Sequence, residues 1–349
     1  MTHRRRLTAL ATIVTAALAA ALGINAPAHA ATVSSSYTTY NRPSETEAGG
    51  GEYIAWADKT SAGNVNIALL NPTNGSTVTH WIYTGSSTAP ATGPTITSVS
   101  GQAVVVAWAD GNGDINLAYL ESGGLACISN MRYWLSPTTV TPYITTEGDD
   151  GTGNLLLAWA DTSLHMHISI VNTPIVLHCG TTNGFSVVGG NTTDVGSDTT
   201  WDGPSLTTSG YGTGSEHLWL SWASTDSAHH INIAKYTPAS VYGTFNQVSK
   251  ITESTHGTST DMGGAYFTDT GDVWISYCGT NNSVYYQLWA ASNSTGGGTE
   301  MGISSGSCDV YTFNGYVSGG VGVGYDYSTS TMVFTWADKS SYTIQRYLV

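Results

Sequence analysis

The groups best suited to binding chemistry gather in the second half of the chain. The stretch GGNTTDVGSDTTWDG, from Gly189, ends on Trp201, Asp202 and a glycine; Asp226, His229 and His230 follow in STDSAHH, then His256 and Asp261. An indole offers a flat apolar face, while carboxylate and imidazole groups bond hydroxyls, and a shallow site holding a sugar needs both. Trp201, Asp202, Asp226, His229, His256 and Asp261 are therefore the candidate ligand-binding residues. Each taken singly is an ordinary loop residue, and their convergence on neighbouring repeats sets them apart.

Other chemistries are less well provided for. His165, His167, His229 and His230 raise the question of a metal ion, but adjacent or alternate histidines in separate strands read as surface residues and no cysteine is placed to help. DGNGD at 110–114 looks like the start of an oxygen-ligand calcium loop, yet lacks the glutamate that would complete one. A Gly-rich hairpin turn accounts for it, so no cofactor is expected, with calcium as the alternative. Glu45, Glu47 and Glu147 could supply the paired carboxylates of a glycoside hydrolase. Nucleophile-elbow, zincin and phosphate-loop motifs are absent.

What must position these groups is a repeated unit. AWAD occurs at 55–58, 107–110 and 158–161, and TWAD at 335–338, each after a run of Val, Ile or Leu. Aligning on them gives six copies, anchored at Trp56, Trp108, Trp159, Trp222, Tyr277 and Trp336 and spaced 51 to 63 residues apart. Each copy is an apolar run, a polar turn and a second run such as VNIAL or INLAY, which is a β-hairpin pattern. A strand precedes most hairpins (GPTITSVSG, TPYITTEG, GPSLTTSG) and another follows (THWIYTG, MRYWLSP, FNQVSKITE). Four antiparallel strands repeated six times predict an all-β, six-bladed β-propeller. SSSYTTYN, from Ser34, is left over at the front and the last hairpin lacks an outer strand, so the N-terminal strand is expected to close the last blade.

Within that frame the repeated tetrapeptide reads as architecture. A second strand packed on both faces should be apolar throughout, and its Trp is a core piece. Asp58, Asp110, Asp161 and Asp338 open the turn and can accept a backbone N–H two residues on. Asn66, Asn116 and Asn232, with His167 and Gln345 in similar places, fit a strand less easily. They are expected to bond backbone in a neighbouring strand or blade, a repeated ligand contact being the alternative.

Residues 1–30 have a basic start, an apolar run and a closing AHA, the form of a signal peptide cleaved after Ala30, with 31–349 as one exported domain. Loss of Arg4, Arg5 and Arg6 leaves seven basic residues against 24 acidic ones, a net charge of −17. Such a surface repels phosphate backbones and anionic lipid, so neither nucleic acid nor membrane is an expected partner. Cys127, Cys179, Cys278 and Cys308 read as two disulfides in an exported chain. Of three possible connectivities, 127 with 179 and 278 with 308 suits the predicted topology best.

LWLSWASTDSAHHINIAKYTP followed by GTFNQVSKITES, and preceded by GPSL, is similar to the BNR-like or sialidase-like repeats of secreted bacterial propeller proteins. The likeness covers all six units and is strongest in the fourth. A narrower resemblance is to propeller lectin subunits of secreted antibacterial toxin particles. Sialidase activity, as the resemblance implies it, would need three arginines on the sialate carboxylate, a Tyr/Glu nucleophile pair and an Asp acid. Only Arg42, Arg132 and Arg346 follow the signal segment, and neither the arginine-isoleucine-proline motif nor the Ser-x-Asp-x-Gly-x-Thr-Trp box is present. The expectation is thus a non-enzymatic, lectin-like propeller for a cell-surface or matrix glycan, serving as the targeting subunit of a larger secreted complex with another secreted protein. A glycoside hydrolase and a protein-binding adaptor are the alternatives.

Overall fold

The computed structural model describes residues 31–349 apart from 35, 60–62, 86–89, 100–102, 122, 147–153, 174–183, 202, 210–216, 239–244, 258–263, 268–271, 291–299, 309, 314–315 and 327–330. The expected signal segment, Glu147, Cys179, Asp202 and Asp261 therefore lie outside the described residues.

Six four-stranded antiparallel sheets follow one another along the chain. After a short strand β1 (Ala31–Thr32), blade one comprises β2 (Ser44–Ala48), β3 (Gly51–Ala57), β4 (Val65–Leu70) and β5 (Thr77–Tyr83). Blade two is β6 (Thr95–Val99), β7 (Ala103–Ala109), β8 (Ile115–Glu121) and β9 (Gly124–Asn130); blade three is β10 (Tyr143–Thr146), β11 (Leu155–Ala160), β12 (His165–Asn172) and β13 (Ser186–Thr199). Blade four is β14 (Ser205–Ser209), β15 (His217–Ala223), β16 (His230–Pro238) and β17 (Phe245–Gly257); blade five is β18 (Gly264–Phe267), β19 (Asp272–Cys278), β20 (Ser283–Ala290) and β21 (Glu300–Ser307). A small hairpin, β22 (Val310–Phe313) with β23 (Tyr316–Gly319), precedes blade six: β24 (Val321–Asp326), β25 (Thr331–Ala337), β26 (Ile344–Leu348) and, outermost, β1. The first strands β2, β6, β10, β14, β18 and β24 touch in succession and β24 returns to β2, which closes the ring.

Closure uses the front of the chain, as expected, but the paired strand is Ala31–Thr32, ahead of SSSYTTYN, which contributes an isolated bridge. Ala31 and Thr32 pair with Arg346 and Gln345, and Thr38 makes a single bridge to Thr343. A second difference concerns blade two: MRYWLSP is not its outer strand. That place is taken by Gly124–Asn130, and residues 131–135 form a turn in which Trp134 and Leu135 N–H both donate to the Met131 carbonyl. Aromatic and apolar density imitates strand propensity, which reports fit to a half-buried surface rather than a backbone preference.

The continuous apolar runs follow from two-sided packing. Side chains alternate across a strand, so Val105 and Ala107 face blade three beside Leu157 and Trp159, while Val104, Val106 and Trp108 face blade one beside Ala55 and Ile67. Every neighbouring pair of blades shares such a core, including six with one, where Val33 and Ile344 meet Ile54 and Trp56. Trp56, Trp108, Trp159, Trp222 and Trp336 are all buried, with Tyr277 in the same role in blade five. Removing one such ring would cost about 3–5 kcal/mol. Cys278 at the end of β19 is bonded to Cys308 after β21, as expected. Cys127 on β9 is disulfide-bonded as well, its expected partner Cys179 being outside the described residues. Among the described residues no helix is long and apolar enough to cross a membrane.

Candidate functional site on the linker face

The turns between second and third strands and the linkers between blades lie on one face of the ring. Each turn is fixed from within. Asp110 accepts the Asn112 and Asp114 N–H groups at 2.9 and 3.2 Å and the Asn116 amide at 3.1 Å. Asp161 does the same for Ser163 N–H, His165 N–H and the His167 ring, and Asp338 for Ser340 and Ser341 N–H. Asp58 takes the Asn64 and Asn66 amides instead. DGNGD is thus a capped hairpin turn, its second acid bonded to Asn130. Among the described residues no group of three His, Cys, Asp or Glu could hold a metal ion.

The strand asparagines do not chiefly reach a neighbouring blade. Asn66 donates to Asp58 and accepts from His80 Nε2 at 3.0 Å, and Asn116 donates to Asp110 and accepts from Asn130 at 3.3 Å. His167 is held between Asp161 at 3.1 Å and Asp194 at 2.8 Å. A short polar chain therefore runs from the turn acid through the third strand to the outer strand of the same blade. An amide suits the middle position because it both donates and accepts. Asn232 is the variation: it donates to the His230 carbonyl and accepts from Thr252.

The last residue of the turn stitches the ring in blades two, three, five and six. Gly63, Gly113, Leu164, His229, Asn282 and Tyr342 all have positive φ, between 48° and 82°. The carbonyls of Gly113, Leu164, Asn282 and Tyr342 accept N–H groups from Thr138, Thr200, Cys308 and Thr39 of the following linker, at 2.9 to 3.1 Å. A Cβ on Gly63 or Gly113 would stand 2.7 or 2.8 Å from the linker carbonyl of Pro90 or Thr138, which explains glycine in those two blades.

Trp201 sits in the linker between blades three and four. Its Nε1 donates to the Thr225 carbonyl at 3.3 Å, and the residue is 47% exposed. The adjacent turn carries Asp226, which does for blade four what Asp110 does for blade two: it accepts Ala228 and His230 N–H at 2.9 and 3.3 Å, His230 Nδ1 at 3.0 Å and the Ser224 hydroxyl. Burial pushes the Asp226 carboxyl up, but the Ser224 and His230 hydrogen bonds outweigh it and hold the group below the ordinary carboxylate range. Asp226 therefore positions the turn beneath Trp201. His229 occupies the left-handed position of that turn, φ 52°, and its Nδ1 is buried without a partner among the described residues. His256 lies on β17, one residue from its end; Asp202 and Asp261 are outside the described residues. Trp201, Asp226 and His229 are thus brought to one stretch of the linker face.

Sequence reasoning missed a second exposed aromatic group on this face. Tyr133 is 79% and Trp134 51% exposed, in the turn that leads from β9 into the linker to blade three. The signal was available in the consecutive Arg-Tyr-Trp, but reading it as strand hid it. A third cluster, Tyr40, Lys59 and Tyr342 at the junction of blades six and one, is closed on itself: the Lys59 ammonium lies over both rings.

The arginines do not assemble. Arg42 is buried, its guanidinium 5.3 Å from the Tyr143 ring centre; Arg132 is at the surface beside Tyr133; Arg346 is ion-paired with Glu52. Glu45 and Glu47, with Glu52, line a small cleft between blades one and six near Gly324 and Tyr325, beside the β2–β3 turn and so toward the opposite face.

No family model matches this chain, and no curated protein matches it in sequence. Among solved structures it is similar to the SapL1 lectin in complex with alpha methyl fucoside: 10% identity, 89% of this chain and 94% of that one covered, TM-score 0.55. It is similar also to AofleA from Arthrobotrys oligospora, at 9% identity, 92% and 86% coverage and TM-score 0.57. The subtype N11 neuraminidase-like protein of A/flat-faced bat/Peru/033/2010 (H18N11) follows at 11%, 90% and 88%, and 0.50. At such identities the likeness is one of fold: this chain is an all-β, six-bladed propeller with its N-terminal strand in the closing blade.

Proposed function

We propose that the protein is an exported, non-catalytic carbohydrate-binding propeller that turns its linker face toward a cell-surface or matrix glycan. The observation that carries this reading is Trp201. Its N–H is spent on the Thr225 carbonyl, so the indole is held in place while 47% of the residue stays open to solvent. A buried indole would contribute more to stability, and a fixed, exposed aromatic face is what a pyranose stacks on. The fold is shared with a lectin solved with alpha methyl fucoside, which makes a sugar the natural ligand to test, although fold alone does not decide function. The scattered arginines, one of them bound to Glu52, argue against sialidase chemistry. Export and a targeting role within a larger secreted complex rest on residues 1–30 and on the narrower resemblance to propeller lectin subunits of secreted antibacterial toxin particles.

The test is a glycan-array screen of the mature protein beside Trp201→Ala, with calcium and with chelator. Binding by the parent and its loss in the variant is the expected result. Binding unchanged in the variant would move the site elsewhere, and no binding to any glycan would end the lectin reading.

A further inference from the structure

The turn after β9 displays three consecutive side chains for which the fold has no use. Met131 and Leu135 at its ends are buried, 1% and 6% exposed, and anchor it to the core shared by blades two and three. Between them Tyr133 and Trp134 stand in solvent. The backbone beneath is fixed: Asn130 Oδ1 accepts Arg132 N–H at 3.0 Å, and Asn130 is itself tied to Asp114 and Asn116. An exposed aromatic pair on a rigid turn loses little conformational freedom when it binds.

Arg132 adds a charge. One terminal nitrogen donates to Tyr133 Oη at 2.7 Å and the guanidinium carbon lies 4.8 Å from the Tyr133 ring centre. Among the described residues no carboxylate lies within ion-pair distance of it, although the chain holds 24 acids against ten Lys and Arg. A guanidinium held by its neighbour, with further N–H groups open, matches the two oxygens of a carboxylate. The acidity of the whole protein opposes an anion only weakly, because exposed charges more than about 8–10 Å away are screened at physiological salt. Asp114, an acid whose charge reaches the Arg132 guanidinium, has an oxygen engaged by Asn130.

We propose that Arg132, Tyr133 and Trp134 form a second saccharide subsite, for a pyranose bearing a carboxylate, with the guanidinium on the carboxylate and an aromatic ring against the sugar face. This rests on the linker face being a glycan-binding surface and names a sugar class that surface would select. It also lies one blade junction from Trp201, so an extended glycan could meet both.

The experiment is calorimetric titration of the mature protein with glucuronic-acid-terminated and N-acetylneuraminic-acid-terminated glycans and their carboxyl-reduced counterparts, in parent, Arg132→Gln, Arg132→Lys and Trp201→Ala forms. At least one acid glycan should bind about tenfold or more tightly than its reduced form. Arg132→Gln should abolish that preference without lowering the melting temperature, and Arg132→Lys should restore only part of it. Equal affinity for acid and reduced forms, or a preference that survives Arg132→Gln, overturns the proposal. If neutral glycans still bind and Trp201→Ala removes that binding, the lectin reading stands without this subsite; if none of these glycans binds, this proposal falls, and the lectin reading falls with it only where the glycan array is blank as well.

Discussion

Arg346, in the last strand, grips Glu52 of blade one across the seam of the ring, its Nε 2.7 Å from Oε1 and its terminal nitrogen on the second oxygen, with both side chains buried. The same terminal nitrogen also donates to the Pro72 carbonyl at 2.9 Å. Blade six is thus locked to blade one by charge as well as by the strand β1 and the shared apolar core.

Breaking that pair from one side strands a buried charge. Glu52→Ala is expected to cost about 3–5 kcal/mol, and Glu52→Leu with Arg346→Met to recover most of it. Urea unfolding of the three proteins checks this, and equal losses in single and double variants would contradict it.

The Cys278–Cys308 bond spans 30 residues. Replacing both by Ala should lower stability by about 3–4 kcal/mol on loop-entropy grounds. Non-reducing peptide mapping of the same preparations will show whether Cys127 is joined to Cys179.

Gly113 has φ +82° and a Thr138 carbonyl 2.8 Å from where a Cβ would stand. Gly113→Ala should therefore destabilise by more than about 1 kcal/mol. Gly111, in the same turn with nothing within 4 Å of its Cβ position, is the control and should tolerate Ala.

Acid should loosen the turns within a defined window. Burial raises the Asp338 carboxyl, but hydrogen bonds from Ser341, Ser340 and Ser307 outweigh it and bring the group from 3.8 to about 2. A folded value below the unfolded one means that the stabilisation is complete above the unfolded value and is lost as pH falls through the folded one. Urea midpoints should thus drop between about pH 4 and 2, and Asp338→Asn should flatten that part of the profile. Asp161 and Asp226 are held low in the same sense and act in the same direction.

The legible part of the fold was the part repeated in space as in sequence. A second strand buried on both sides, as Val104–Trp108 is, must be apolar at every position, and six copies of that run with its turn and partner left one architecture. Asp caps were legible for the same reason, since Asp58, Asp110, Asp161 and Asp338 act on residues within eight positions of themselves. In blade four, Ser224 stands where blades one, two, three and six carry Asp and the cap is Asp226, two residues on, so a residue read as ligand-binding proved to hold the turn.

Sequence alone determined the number of blades, the central hairpin of each and the buried ring of Trp residues, because these follow from local pattern multiplied by repetition. Tertiary structure alone decided that Glu52 meets Arg346 across 294 positions, that Leu164 and Tyr342 adopt a conformation suited to glycine, and that Tyr133 and Trp134 face solvent. The physical reason is common to all three. Pairing, backbone conformation and exposure at those residues are set by the neighbouring blade or linker, and composition at the residue itself carries no record of what is brought against it.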